Sequence, residues 1–181
     1  MKTLRPCLSL LAVVVIGALI GCSASTKTAD VSASVRTSLD KAGYKDVSVT
    51  QDRDKGVVTL GGHVAAAADK SQAESIARSI AGAEVVANQI AVIPPGSGSD
   101  ARNVNSDLDK GIESNLDAAL ITEKLHDSVR YAVKNEVVTL TGDVDSQSTR
   151  TRAQNVAAAV PNVQQVVNEL QVKAQKATSS N

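Results

Sequence analysis

Aromatic residues are almost absent from this sequence. None of its 181 residues is Trp or Phe, and the two tyrosines are Tyr44 and Tyr131. Any hydrophobic core must therefore be built from the aliphatic side chains of Val, Ile, Leu and Ala. Insertion into a membrane interface through Trp or Phe, which often occupy that layer, is also excluded.

Cysteine is nearly as scarce, and both cysteines lie within the first 22 residues. Lys2 and Arg5 precede an apolar run over residues 8–19, which is followed by small residues around Cys22. A basic flank, a short apolar stretch and a small-residue cleavage point are typical of a secretory signal peptide. A bilayer-spanning helix needs about 20 apolar residues, more than this run supplies. We predict that residues 1–21 are a signal peptide; a permanent membrane helix is the alternative.

The tetrapeptide Leu19-Ile20-Gly21-Cys22 resembles the bacterial lipobox, in which the Cys thiol is acylated and the preceding peptide is removed. The resemblance implies that Cys22 becomes the lipidated N-terminus, carrying palmitate-type chains, and several acyl chains together make a lasting membrane anchor. Ser23 follows the cysteine where many inner-membrane lipoproteins have Asp. This similarity implies the periplasmic face of the outer membrane. A plain secreted protein with an incidental cysteine is the alternative.

The mature chain has neither a thiol pair nor an excess of positive charge. Cys7 leaves with the signal peptide and Cys22 is acylated, so no disulfide or thiolate metal site is expected. Lys2 and Arg5 also leave, so 17 of the 19 basic residues remain against 19 acidic ones. A general nucleic-acid binder needs a basic surface. We therefore expect no nucleic-acid partner.

The chain contains an internal repeat with an offset of 80 residues. Residues 57–64 (VVTLGGHV) match residues 137–144 (VVTLTGDV) at six of eight positions, and the correspondence continues without a gap over 36 residues. The segment PPGSGSD, which begins at Pro94, separates the copies and is typical of a linker. The predicted organisation is a tether over 22–28, domain 1 over 29–93, a linker over 94–111, domain 2 over 112–173 and a polar tail over 174–181.

The apolar periodicity predicts the same order of elements in each copy. Val31, Val35 and Leu39 recur every four residues, as on one face of a helix. Alternating apolar residues then predict two strands joined by a turn. An Ala-rich helix follows, and residues 85–92 and 163–172 are predicted as the third strands. The fold class is therefore α+β, with two tandem α-β-β-α-β domains.

The connections predict the shape of each sheet. The hairpin makes the first two strands antiparallel, and the helical crossover makes the third strand parallel to the second. Each domain should then be a mixed three-stranded sheet with both helices on one face. The other face should remain relatively open, with edge strands available to a partner. Because domains of this size have marginal cores, we also expect the copies to pack against each other.

The segment VVTLxGxV, an Ala-rich helix and the pattern VxNxI/LxV together resemble the BON domain, named for bacterial OsmY and nodulation proteins. Both copies match, and with the lipobox the chain is similar to dual-BON-domain outer-membrane lipoproteins. That family is associated with attachment to phospholipid membranes and with envelope integrity under stress, and implies neither an enzyme activity nor a cofactor. Gly62 and Gly142 match the family glycine. We interpret both as structural glycines, which relieve backbone crowding where a strand ends.

Candidate catalytic and metal-binding residues are few. The mature chain has two histidines, His63 and His126, one in each copy. His63 corresponds to Asp143 in the other copy, and His126 lies beside Asp127 at a helix end. A hydrolase needs a nucleophile with a base in reach, and a zinc site needs several ligands at close spacing. We predict no enzyme activity and no metal site.

Four cations in domain 2 are candidates for weak contact with anionic phospholipid headgroups: Lys124, Arg130, Arg150 and Arg152. A basic cluster near a membrane contributes about 1 kcal/mol per charge. The domain nevertheless has more acidic than basic residues, and an ordinary solvated surface is the alternative. The predicted function is a lipid-anchored envelope protein that binds phospholipid surfaces. The second hypothesis is a periplasmic adaptor that docks an envelope-assembly or cell-wall protein.

Overall fold

The computed structural model describes residues 27–173. Cys22 and the predicted tail over 174–181 lie outside these residues. Each copy contains two helices and a mixed sheet, as predicted. The elements of the first copy, in chain order, are α1 (Ser32–Lys41), β1 (Val47–Asp52), β2 (Val57–Val64), α2 (Ala67–Ala81), β3 (Val85–Asn88) and β4 (Ala91–Val92).

The first copy folds around the alternating residues of its hairpin. β1 pairs with β2 in antiparallel register, and β3 and β4 both pair with β2 in parallel register. Val58 and Leu60 point toward the helices, where they are buried with Val35, Leu39 and other aliphatic side chains. Both helices contribute to this one core, so they cover a single face of the sheet.

The second copy repeats this arrangement. β5 and β6 are antiparallel, while β8 runs parallel to β6 and β9 runs parallel to β7. Its core contains twelve buried residues and lies between the helices and the sheet. The elements are α3 (Gly98–Thr122), β5 (Arg130–Lys134), β6 (Val137–Thr141), β7 (Asp143–Val144), α4 (Gln147–Ala158), β8 (Gln165–Asn168) and β9 (Gln171–Val172).

The prediction of an irregular linker over residues 94–111 is wrong. Helix α3 begins at Gly98 and runs for 25 residues, well before the predicted start of domain 2. The part of α3 before residue 112 has one face that is shielded from solvent. Ala101, Asn105 and Asp109 are half-buried there at intervals of four residues, as expected for one side of a helix. Asp109 accepts hydrogen bonds from the backbone N–H groups of Asn135 and Glu136, both at 2.9 Å. The extension is therefore fastened to the β5–β6 turn.

The end of the predicted tether is also attached to its domain. Thr28 donates its backbone N–H to the carbonyl of Arg53 at 3.0 Å, and Arg53 donates from Nε to the carbonyl of Thr28 at 2.7 Å. The Lys27 ammonium lies 3.4 Å from the Asp54 carboxylate. Residues 27 and 28 thus extend the first copy at its β1–β2 turn.

The third strands are broken in both copies, whereas continuous strands were predicted. The break follows Asn88 in the first copy and Asn168 in the second. Each Asn side-chain oxygen accepts a hydrogen bond from the N–H two residues later, at Ile90 (3.4 Å) and Leu170 (3.2 Å). Such a local bond competes with the strand ladder, and it divides each strand into two short segments.

Within residues 27–173, no helix is both long and apolar enough to cross a membrane.

Candidate functional site

The two copies contact each other through the sheet faces that turn away from their helices. Val57 and Ala87 of the first copy form a separate buried cluster with Val137 and Val167 of the second. The expectation of an open face on each sheet is therefore wrong at the third strands, because each sheet covers part of the other. Four aliphatic side chains cannot be left in water without cost, which explains why the copies pair there.

One glutamine side chain joins the two third strands. Gln165 in β8 accepts a hydrogen bond at Oε1 from the backbone N–H of Asn88 (2.9 Å). Its Nε2 donates to the backbone carbonyl of Val86 (2.6 Å). Both backbone groups lie on the outer edge of β3, so this edge is satisfied by the other copy. The prediction that edge strands are available to an outside partner is wrong for β3.

Further polar contacts connect the copies at their hairpin turns. The Lys55 ammonium lies 2.6 Å from Oε2 of Glu169, whose side chain is only 11% exposed. The Asn135 amide donates to the backbone carbonyl of Gln89 at 2.7 Å. The hydrogen bond from Lys55 to Glu169 raises the pKa of Lys55 above its usual value. The Lys55 ammonium is therefore charged at neutral pH.

A half-buried lysine also lies at this junction. Burial lowers the pKa of Lys70 below its usual value, and the nearby acidic residues Glu136, Glu74 and Asp109 oppose that effect. Its ammonium donates to the backbone carbonyl of Asn135 at 3.4 Å. Lys70 is the repeat counterpart of Arg150, so both copies place a cation at the same point of α2 or α4.

The repeated asparagines fasten each third strand to its second helix. Asn88 is 3% exposed, and its amide donates to the carbonyl of Lys70 (3.1 Å) and to Oε2 of Glu74 (2.9 Å). Asn168 donates in the same way to the carbonyl of Arg150 (3.2 Å) and to Oε1 of Gln154 (3.0 Å). The asparagine of the VxNxI/LxV pattern is therefore a structural clamp.

Gly62 and Gly142 occupy equivalent crowded positions. Both have positive φ angles, +83° and +122°. A Cβ atom at Gly62 would overlap the carbonyl oxygen of Asp46, and one at Gly142 would lie 2.5 Å from the carbonyl oxygen of Ser128. Only glycine fits such close backbone approaches without a shift. The geometry thus gives both glycines a structural role.

The four predicted lipid-contact cations differ in their exposure and in their hydrogen bonds. Lys124, Arg130 and Arg152 are exposed, and none of them makes an ion pair within residues 27–173. Arg150 is half-buried and donates from Nε to the carbonyl of Leu170 and from Nη2 to the carbonyl of Asn168, both at 3.0 Å. Its guanidinium holds the break between β8 and β9, which explains a cation near the unfavourable end of a helix.

Arg130 lies on the part of the second sheet that the first copy does not cover. Along β5, Arg130, Ala132 and Lys134 are exposed while the residues between them are half-buried. The strand rise places the two cations about 13 Å apart on one face. Half-buried Thr139 and Thr141 flank this row on β6. Lys134 was not predicted as a site residue, although its spacing of four residues from Arg130 in an alternating strand carries the signal.

The corresponding row in the first copy has a different charge. Ser48, Thr50 and Asp52 are its exposed residues on β1, so this surface carries a carboxylate and no cation. The copies share a fold but present chemically different sheet surfaces. The second copy is the one suited to an anionic partner.

The histidines lie apart from each other. His63 borders a surface pocket of about 320 Å³ that also contains Tyr44 and Asp69. Nε2 of His126 lies 3.1 Å from Oδ1 of Asp117, to which the Tyr131 hydroxyl also donates at 3.1 Å. Burial and this hydrogen bond raise the pKa of Tyr131. Among the described residues, no group of three or more His, Cys, Asp or Glu side chains is arranged to hold a metal ion.

An apolar groove of about 500 Å³ lies between α3 and α4. Its walls are formed by small and aliphatic side chains, including Ala118, Val156 and Val160, with Glu123 at the side. Sequence periodicity did not predict this groove, because it depends on how closely the two helices approach each other.

Taken together, the fold and the contact define a class: two α-β-β-α-β modules in tandem that pair through their third strands. The chain belongs to the BON-domain family, whose model matches residues 27–94 and 108–174. Osmotically-inducible protein Y of Escherichia coli (strain K12) is 30% identical over 146 residues, which cover 79% of this chain and 71% of that protein.

Similarity to solved structures is slight. Two structures of CdsD, described as a structural protein of the type III secretion system of Chlamydia trachomatis, have TM-scores of 0.33 and 0.31 and identities of 13% and 14%. They align with 76% and 80% of this chain and with 90% and 98% of their own chains. Likeness at this level carries no argument about function.

Proposed function

We propose that this protein is a lipid-anchored, periplasm-facing envelope protein that binds phospholipid membrane surfaces and supports envelope integrity under stress, without catalysing a reaction. Two lines of support are the membership of the BON-domain family and the similarity to a protein named for its osmotic induction. The N-terminal sequence supports export and acylation at Cys22. The outer membrane, facing the periplasm, is the proposed location.

The exposed Arg130–Lys134 row carries the lipid-binding part of this proposal. Arg130 and Lys134 have no carboxylate partner within residues 27–173. Together with the neighbouring threonine hydroxyls on β6, they offer charge and hydrogen bonds to phosphate groups. The β5 row is on the second copy, the copy to which the predicted cations belong. Lys124 and Arg152 add exposed positive charge to the same copy. Arg150 is not part of this proposed lipid surface, because its guanidinium makes structural hydrogen bonds to Leu170 and Asn168.

Such a surface is expected to bind weakly without the anchor. Each cation near an anionic membrane contributes about 1 kcal/mol, and the attraction decreases with distance over a Debye length. The acyl chains would keep the domain close to the membrane, which raises its effective concentration there. The anchor would therefore keep the protein at the membrane, and the exposed Arg130–Lys134 row would orient the second copy.

Charge reversal on β5 tests this proposal. Soluble protein without residues 1–21 and with Cys22→Ser should float with phosphatidylglycerol liposomes at low salt and much less with phosphatidylcholine liposomes. The double variant Arg130→Glu and Lys134→Glu should lower binding at least about tenfold, because it reverses two charges near the lipid surface. Liposome flotation over a series of lipid concentrations measures the change.

Lys41 and Lys45 provide the matched control. Both are exposed in the first copy, and neither makes an ion pair within the described residues. Changing both to Glu alters the net charge by the same amount and should leave binding within about twofold. Equal loss in the two double variants would show only a net-charge effect. Equal binding of wild-type protein to neutral and anionic liposomes would exclude the proposed headgroup contact.

The groove between α3 and α4 favours the adaptor hypothesis as the second candidate. Its small apolar side chains resemble the lining of a helix-binding groove more than that of a headgroup site. Failure of the wild-type soluble protein to float with phosphatidylglycerol liposomes would leave this hypothesis as the better account.

A further inference from the structure

The contact between the two copies has an approximate two-fold symmetry that follows the repeat. The repeat offset of 80 relates Val57 to Val137 and Ala87 to Val167, and these four residues form one cluster. A contact in which equivalent residues face each other is self-complementary, like the interface of a two-fold dimer.

Two of the polar contacts obey the same relation. Lys55 of the first copy meets Glu169 of the second, and their counterparts Asn135 and Gln89 meet as well. In both pairs a long or polar side chain from the hairpin turn reaches the residue after the third strand. One contact is an ion pair, and the other is a neutral hydrogen bond to a backbone carbonyl.

We propose that the sheet face and outer edge at the third strand of each copy form a pairing surface for a complementary copy, and that the charged and polar residues on this surface make copy 1 pair with copy 2 rather than with another copy 1. The surface uses four aliphatic residues, two equivalent turn contacts and a glutamine bridge. In this chain the complementary partner is supplied internally.

The charges at the turn contacts determine which copies can pair. If copy 1 paired with another copy 1, Lys55 would meet Gln89 twice, and no carboxylate would face the lysine. If copy 2 paired with another copy 2, Asn135 would meet Glu169 twice. The Glu169 side chain is 11% exposed, and a carboxylate so enclosed without a cation is unfavourable. The ion pair forms only in the mixed arrangement, which is the general way that unpaired charges disfavour a wrong partner.

The glutamine bridge is present on one side of the symmetry axis and missing on the other. Gln165 reaches Asn88 and Val86 across the contact, whereas its counterpart is Val85, which is 45% exposed and cannot form such a bridge. Gln89 and Glu169 donate their backbone N–H groups to β2 and β6. Because alternate residues of a strand point to opposite edges, the N–H of Asn168 faces the contact, as that of Asn88 does.

Exchange of these two residues tests the symmetry. In the full mature chain with Cys22→Ser, Gln165→Val should lower the thermal midpoint by about 2–4 °C, since one bridge is lost. Val85→Gln should raise it by a similar amount, because a second bridge can form to Asn168 and Val166. The double variant Val85→Gln and Gln165→Val should return close to the wild-type midpoint. Val104→Gln, an exposed valine in α3, is the control for a general effect of the substitution.

A double variant no more stable than Gln165→Val alone would overturn the proposed symmetry. The charges are tested in the same chain by Lys55→Glu and Glu169→Lys. Each single reversal should lower the midpoint, and the two together should restore most of it, because the ion pair is rebuilt with opposite polarity. Unchanged midpoints in the single variants, or no recovery in the double variant, would overturn the proposal that this ion pair makes copy 1 pair with copy 2.

Discussion

Replacing Gly62 by Ala is expected to destabilise the protein by about 2–4 kcal/mol, enough to unfold much of a marginally stable chain. Two costs add at this position. A left-handed backbone costs a residue with a Cβ atom roughly 1–2 kcal/mol, and the new methyl group overlaps the carbonyl oxygen of Asp46. That oxygen belongs to backbone and cannot rotate away. Urea unfolding followed by circular dichroism measures the loss.

Gly96 separates the two costs. It has the same φ angle of +83°, but a Cβ atom there would meet nothing within 4 Å. Gly96→Ala should therefore show the conformational cost alone, about 1–2 kcal/mol or less. Gly142→Ala should resemble Gly62→Ala, because the repeat creates the same close approach at Ser128. Equal stability losses at Gly62 and Gly96 would mean that the contact with Asp46 has no energetic importance.

Replacing Cys22 by Ser is expected to move the protein from the membrane fraction to the soluble periplasmic fraction almost completely. The physical reason is that the proposed acyl chains would contribute roughly 0.8 kcal/mol per buried methylene, in total far more than the few exposed cations of the second copy. Cell fractionation with immunodetection measures the change. The variant should also no longer incorporate palmitate, which metabolic labelling detects.

Cys7 is the natural control for that experiment. It lies in the same N-terminal segment but not in the lipobox-like tetrapeptide, so Cys7→Ser should retain membrane localisation and palmitate labelling. Membrane residence of the Cys22→Ser variant equal to that of wild type would contradict anchoring by acylation. The membrane contact would then have to come from the folded domains themselves.

The alternation of helical and strand periods was sufficient to predict the fold of each copy. The reason is physical: Val35 and Leu39 lie on one helix face, and Val58 and Leu60 lie on the strand face that meets it. Patterns of this kind depend on local geometry and burial, which a single sequence contains. The α-β-β-α-β order and the mixed sheets followed from them.

The start of α3 could not be predicted in the same way. Gly98, Ser99 and Asp100 follow two prolines and resemble a linker, since their residue types favour turns. The helix is stabilised by a distant contact, in which Asp109 accepts two N–H groups of the β5–β6 turn. A tertiary contact of this sort overrides weak local propensity.

The contact between copies shows a second limit. Gln165 lies in β8 and Glu169 lies in the break that follows it. Within the predicted third strand, these two polar residues were not distinguished from a solvated surface. Their partners are 77 and 114 residues away in the sequence, so no local pattern indicates them. The offset of the repeat does identify their counterparts once one contact is known. The repeat therefore predicts that a contact between the copies is symmetric, but it does not predict which surface forms the contact.

Pairing also changes the interpretation of the candidate membrane surface. Both sheet faces are covered at the third strands, and Arg130 and Lys134 remain exposed on β5, at the opposite edge of the second sheet. The first copy then supports the second, and the α3 extension fixes the turn between β5 and β6. The proposed lipid surface is thus presented by a paired unit.

The pairing of the two copies is the central structural claim, and zero-length carbodiimide crosslinking tests it most directly. Because Lys55 Nζ lies 2.6 Å from Glu169 Oε2, an amide should form between these two side chains within one chain. Mass spectrometry of the monomeric band should then identify a peptide pair joining Lys55 to Glu169. Absence of that crosslink from the monomer, with Lys55 joined instead to Asp or Glu residues of its own copy, would contradict the paired arrangement.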